Sequence, residues 1–207
     1  MISIINYGLG NIRAISSAYN FLGIDYHIAN KPEDLDKSSH IILPGVGSFD
    51  NAMKKINKKG FKEKLDFLVL EKKINILGIC VGLQVMSKSS NEGTQNGFGW
   101  LDTQTKMIDI TDKNFKVPHM GWNIINVCKK CPLLNGVDQK EFYFLHSYNV
   151  DDNNNEYKSA TSTYEAPFTA SISFKNIFGV QFHPEKSHDQ GLKVLKNFSQ
   201  LSNYEQA

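Results

Sequence analysis

The stretch Gly78-Ile79-Cys80-Val81-Gly82-Leu83-Gln84 constrains this chain more than any other. It ends the apolar run Ile74–Ile79, which suits a strand buried on both faces of a parallel sheet. Leu83, Val85 and Met86 behind it belong to a helix. A strand that turns into a helix around a cysteine is the nucleophile-elbow pattern with Cys in place of Ser. The two glycines allow the turn to be sharp. The turn pushes the sulfur out at the carboxyl end of the strand, where open α/β sheets bind ligands. Free N–H groups at a helix start favour negative charge there. The plain alternative is a small buried core cysteine. The flanking glycines and the strand–turn–helix setting argue against it.

The rest of the first half repeats the same unit. Ile2–Asn6 is a short apolar run, Tyr7-Gly8-Leu9-Gly10-Asn11 a turn, and Ile12, Ile15, Tyr19 and Leu22 recur at helical spacing up to a stop at Gly23. Ile24, Tyr26 and Ile28 alternate like a strand. His40–Leu43 is another strand, followed by Pro44-Gly45-Val46-Gly47 and a helix that Ser48 or Asp50 could cap. A helical pattern covers roughly residues 61–72. Repeated βα units predict an α/β fold: an open, mostly parallel twisted sheet with helices on both faces. The second half changes character. Segments near 104–110, 123–128, 141–150, 157–163, 168–174 and 177–182 read as strands, which adds antiparallel strands, and Leu192, Leu195, Phe198 and Leu201 mark a last helix. Asp151–Glu156 is a polar turn and the expected mobile tip. At 207 residues the chain suits a single domain spanning 1–207.

A cysteine nucleophile needs a base, and the base needs an orienting group. The strand pattern Phe178-Gly179-Val180-Gln181-Phe182 leads into His183-Pro184-Glu185. Residues two apart in extended chain point the same way, so the Glu185 carboxylate can hold the His183 imidazole. Pro184 keeps the link extended. Taken alone, His183 and Glu185 could equally be a strand-closing histidine and a solvated carboxylate. Beside Cys80 they complete a triad.

With these residues in hand, the chain resembles the class I glutamine amidotransferases. Tyr7–Asn11, Pro44-Gly45-Val46-Gly47-Ser48-Phe49, Pro118-His119-Met120-Gly121-Trp122-Asn123, His146-Ser147-Tyr148 and His183-Pro184-Glu185-Lys186-Ser187 narrow the resemblance to the glutaminase subunits of imidazole glycerol phosphate synthases. The motifs stand in the family's order and span nearly the whole chain. The resemblance implies catalytic Cys80, His183 and Glu185, and an oxyanion hole from the Val81 N–H and the Val46–Gly47 peptide. It implies glutamine contacts at Gln84, Glu92, Ser147 and Tyr148. It also implies a heterodimeric partner, a synthase subunit of (β/α)8 type met near Asn11, Met120, Trp122, Tyr143 and Lys186. That partner uses the ammonia to make imidazole glycerol phosphate in histidine biosynthesis. For Met120 and Trp122 the competing expectation is ordinary core packing. No cofactor and no metal are implied.

Composition excludes other classes. Twenty-three basic against 21 acidic residues leave a net charge of +2, with no nucleic-acid or membrane footprint. The N-terminus lacks a signal-peptide pattern, and no stretch approaches the ~20 apolar residues of a membrane span. Three cysteines, an odd and sparse set, fit a reducing cytosol. Cys128-Lys129-Lys130-Cys131 is a lone CxxC with no further ligands nearby and Pro132 directly after it. Gly8-Leu9-Gly10 lacks the third glycine of a dinucleotide fingerprint, since Arg13 stands there. Three alternatives stay open: a paralogue supplying ammonia to an amidotransferase that modifies surface sugars, a cysteine hydrolase or peptidase, and a non-catalytic flavodoxin-like module.

Overall fold

The computed structural model describes residues 1–152 and 155–202. Residues 153 and 154, at the centre of the expected polar tip, lie outside the described residues. The chain runs β1 (Ile2–Ile5), α1 (Ile12–Leu22), β2 (Tyr26–Ala29), β3 (His40–Gly45), α2 (Phe49–Lys58), α3 (Phe61–Asp66), β4 (Asn75–Cys80) and α4 (Val81–Gln84). It continues through β5 (Ser89–Ser90), β6 (Gln104–Met107), β7 (His119–Ile124), β8 (Asn126–Val127), β9 (Glu141–His146), β10 (Tyr148–Asp151), β11 (Lys158–Tyr164), β12 (Ala166–Phe174), β13 (Ile177–Val180) and α5 (His188–Ser199).

An eight-stranded sheet has the order β2-β1-β3-β4-β13-β12-β11-β8. Its first five strands are parallel, and β12, β11 and β8 extend it antiparallel. β4 lies between β3 and β13, in register from Gly45↔Cys80 on one side to Val180↔Ile79 on the other. Three segments distant in sequence therefore end side by side at the same edge: the loop after Gly45, the nucleophile elbow, and the segment leading to His183. Both β3 and β4 are buried along their whole length, as expected for central parallel strands.

Helix α1 packs against α5, and α2 against α3 and α4. The Ser48 side chain caps α2, accepting from the Asn51 N–H at 3.4 Å. Asp50 instead accepts from the N–H groups of Thr94 and Gln95 and pins the loop behind the site. Gly23 closes α1 in the left-handed region. The helical pattern over 61–72 is α3 followed by a π-type turn, Phe67–Glu71. The helix after Cys80 is a single turn. The strand expected over 141–150 is two strands broken at Ser147: β9 pairs with β7 in one small sheet, and β10 with β6 in another. A strand that changes sheets leaves Ser147 at the junction, and that junction forms one wall of the site.

Candidate active site

Cys80 stands at φ 54, ψ −112, a backbone conformation that costs energy for a residue with a Cβ. It persists because its surroundings fix it. A methyl group on Gly78 would lie 2.6 Å from the Gly82 carbonyl oxygen and the Leu83 nitrogen, and one on Gly82 would collide with the Leu43 carbonyl. Only glycine at these positions lets the turn of α4 sit directly on β3 and β4. The glycines thus seat the elbow as well as permit its sharpness.

His183 follows β13 and Glu185 lies one residue beyond Pro184. The His183 Nδ1–H donates to Glu185 Oε1 at 2.8 Å, with side chains only 3% and 1% exposed. Burial alone disfavours the imidazolium. Hydrogen bonds and charges of Cys80 and Glu185 outweigh it and push the His183 pKa up to about 10. Burial likewise works against the Glu185 carboxylate, yet His183 and then Asn11 hold it below the usual range. Since Nδ1 is engaged by Glu185, Nε2 is the nitrogen that meets the sulfur. Asn11 Nδ2 also donates to Oε1, at 2.7 Å, while Oε2 is buried with no partner among the described residues.

A cavity of about 400 Å³ opens above the sulfur, within the range of small-molecule sites. It brings together Cys80, His183, Val46, Gly47, Val81, Gln84, Glu92, Ser147 and Tyr148, every one a residue singled out from the sequence. Gly47 has φ +85. Gln84 Nε2 donates both to the Tyr148 carbonyl at 2.7 Å and to Gln181 Oε1 at 3.1 Å, which leaves its own oxygen free to accept. Glu92 Oε2 accepts from the Phe49 N–H at 2.7 Å, tying the loop of Glu92 to the start of α2. A more polar cavity beside Lys88, Asp102 and Tyr157 contains none of these groups.

The five residues expected near a partner separate into two sets. Met120 and Trp122 are 66% and 44% exposed, so core packing does not account for them. The Trp122 ring stacks on His188 and meets Tyr143 edge-on, and the Lys186 ammonium lies 5.4 Å over the Tyr143 ring. These four residues share one face. Lys186 also reaches the cavity wall, and Asn11 lines the cavity and holds Glu185. The turn before it brackets the site. Tyr7 Oη donates to the Pro44 carbonyl at 2.7 Å, and Gly10 lies against the Pro44 ring. Cys128 is exposed, Cys131 is buried, and neither forms a disulfide.

Three groups gained no role from sequence reasoning. Gln181 Nε2 lies 3.5 Å from Cys80 Sγ, and the Leu145 carbonyl accepts from that sulfur at 3.7 Å. His119 Nδ1 and His146 Nε2 are 3.1 Å apart in a buried pair. For Gln181 a signal existed: it stands two residues before His183 in extended chain and so faces the same way. The histidine pair had none, because β7 and β9 meet only through their cross-strand register, His119↔His146.

Comparison with known proteins finds relatives along nearly the whole chain. The family model described as glutamine amidotransferase class-I matches residues 3–201. The imidazole glycerol phosphate synthase subunit HisH of Bdellovibrio bacteriovorus is 41% identical over 204 residues, 97% of this chain and 100% of that protein. The HisH 2 subunit of Methanococcus maripaludis is 42% identical over 199 residues, covering 96% and 98%. The HisH subunit of Bacillus subtilis is 36% identical over 206 residues, covering 98% and 97%. Among solved structures, a glutamine amidotransferase superposes with TM-score 0.74 at 17% identity, covering 96% and 98%. A chain of PurLQS from Thermotoga maritima gives 0.69 at 19%, covering 96% and 96%. Identities this low speak for the fold alone.

Proposed function

This chain belongs to the class I glutamine amidotransferase family, and from that premise we propose that the cavity above Cys80 hydrolyses the side-chain amide of glutamine through Cys80, His183 and Glu185. The chain is a HisH-type glutaminase subunit of imidazole glycerol phosphate synthase in histidine biosynthesis. In our reading the proton shared by Cys80 and His183 resides on His183 Nε2, and the thiolate this leaves attacks the carboxamide carbon of glutamine. The oxyanion that forms is held by the Val81 N–H and by the Val46–Gly47 peptide. His183 then gives its proton to the departing ammonia, leaving a glutamyl thioester on Cys80. Water, deprotonated by His183, attacks the thioester, and glutamate leaves. Glu185 keeps the ring in the Nδ1–H tautomer and steadies its positive charge throughout.

Gln84, Glu92, Ser147 and Tyr148 hold the amino-acid end of the substrate. Gln84 offers only its oxygen, because both of its N–H bonds are committed. Glu92 keeps one carboxylate oxygen for the substrate ammonium while the other holds Phe49. The ammonia goes to a (β/α)8 synthase subunit in a cytosolic heterodimer, docked on the face of Met120, Trp122, Tyr143 and Lys186 with Asn11 at its margin.

The observation that carries this reading is the buried His183–Glu185 hydrogen bond at the wall of the Cys80 cavity. Cys80→Ala tests it. In the complex with the synthase subunit, glutamine-dependent synthesis should vanish while synthesis from added ammonium salt survives. Equal loss of both, or survival of the glutamine-dependent rate, refutes the reading.

A further inference from the structure

We propose that Gln181 is a fourth catalytic residue of this site: its side-chain amide donates a hydrogen bond to Cys80 Sγ and holds the thiolate aimed into the cavity. This deepens the reading above and rests on Cys80 being its nucleophile. The Gln181 side chain is fully buried, and its Nε2 lies 3.5 Å from the sulfur.

The direction of that amide follows from a chain of groups with fixed hydrogen-bonding character. The Tyr148 carbonyl can only accept. The Gln84 group bonded to it at 2.7 Å is therefore the NH2 end. The second N–H of that same nitrogen meets Gln181 at 3.1 Å, so Gln181 presents its oxygen to Gln84. The nitrogen of Gln181 must then face Cys80. The chain extends outward by the same logic. His146 Nδ1 lies 3.0 Å from the Tyr148 carbonyl and so carries the proton. Its Nε2 accepts from His119 Nδ1. From the strand β7 to the nucleophile, an unbroken run of hydrogen bonds fixes which end of each side chain faces its neighbour.

The chemistry gives this donor a task. As a neutral thiol, Cys80 directs its proton at the Leu145 carbonyl, 3.7 Å away. Once the proton has moved to His183 Nε2, that carbonyl only repels the sulfur. The Gln181 N–H then faces the negative charge and attracts it. Sulfur buried without such a donor would carry its charge at the cost of desolvation. The other titratable groups around it are Tyr7 from the turn after β1, His183 and Glu185 after β13, and His146 behind His183, with Glu92 and Lys186 farther along the cavity wall.

The test is the pH dependence of Cys80 alkylation by iodoacetamide in the full-length protein, read at the Cys80 peptide by mass spectrometry. Gln181→Met removes the donor with little change in volume. Gln181→Glu keeps an acceptor for Gln84 and sets an oxygen against the sulfur. Near pH 6 both variants should alkylate about tenfold more slowly than the unsubstituted protein, the loss expected for a hydrogen bond to a charged group. The alkylation midpoint should move up by about one pH unit. A wild-type midpoint and rate in either folded variant overturns the proposal. Should Gln181→Met fail to fold, Gln181→Glu and the unsubstituted protein still decide. In the latter, the side-chain amide signal of Gln181 in nitrogen-15 NMR should shift when Cys80 is alkylated, and an unmoved signal overturns the proposal. Alkylation needs no glutamine. Failure of the glutaminase reading would show separately, as absence of ammonia release by the unsubstituted protein.

Discussion

Glu185 Oε1 accepts from both His183 and Asn11, while Oε2 has no partner among the described residues. A buried carboxylate with one satisfied oxygen depends on each bond to that oxygen. Asn11 is therefore a positioning residue that acts through Glu185. Asn11→Ala should lower kcat for glutamine hydrolysis about tenfold with KM nearly unchanged, because one charge-assisted bond of roughly 1.5–3 kcal/mol is lost. Steady-state ammonia release measures both constants, and a rise in KM at constant kcat would assign Asn11 to substrate binding instead. The raised His183 pKa, at about 10, has its own signature. Protonation of His183 favours the folded state, so this contribution is complete below the unfolded histidine range and is lost as pH rises through about 10. Glu185→Gln removes the charge partner. It should flatten the alkaline fall in stability, as followed by urea unfolding between pH 8 and 10.

Two elements show how neighbours decide what a short motif can do. The single turn α4 is too short to be stable by itself, and it is held by close approach to β3 and β4. Gly82→Ala would drive a methyl group into the Leu43 carbonyl, a backbone atom that cannot rotate away. Overpacking of this kind costs about 1–3 kcal/mol. Urea denaturation should show that loss, together with lowered Cys80 reactivity as the elbow shifts. The hairpin-like pair β7–β9 carries two roles on opposite faces. His119 and Phe144 point into the core, while Met120, Trp122 and Ile124 point out. Trp122→Ser together with Met120→Asp should leave the melting temperature within a few degrees of the original, since exposed side chains contribute little to the core. Binding of the synthase subunit, followed by calorimetry, should weaken at least tenfold. Unchanged affinity would move the docking face elsewhere.

At the scale of the whole molecule, the buried imidazoles of His119 and His146 set the acid side of stability. Burial lowers their pKa values to about 4 and about 3, with His119 adding to the effect on His146. The unfolded chain binds protons on both rings near pH 6.5 while the folded chain refuses them. Stability should therefore fall as pH drops below 6.5, by roughly 1–2 kcal/mol per ring by pH 5. His119→Phe removes one of the two groups and should flatten the fall measured by urea unfolding from pH 7 to 5. An unchanged slope would mean that the rings already carry charge in the folded state. Among the described residues, no helix is long and apolar enough to cross a membrane.

The local code was readable wherever one segment contains its own reason. The elbow needs an apolar strand, glycines and a cysteine in one run; His183 and Glu185 share a side because extended chain alternates; Gly23 ends α1 because it alone tolerates φ 65 cheaply. These features point to the α/β class and to the proposed triad from local pattern alone. What tertiary structure decided has no local cause. Ser147 breaks one apolar stretch into strands of two different sheets. Asn11 turns from the docking margin onto Glu185, 174 residues away. Gln181 faces the sulfur because β4 and β13 are parallel neighbours in one particular register, Val180↔Ile79. Sequence pattern sets which face a side chain takes within its own element. Which atom it meets across the sheet depends on strand order and register, and those follow from packing the whole chain at once.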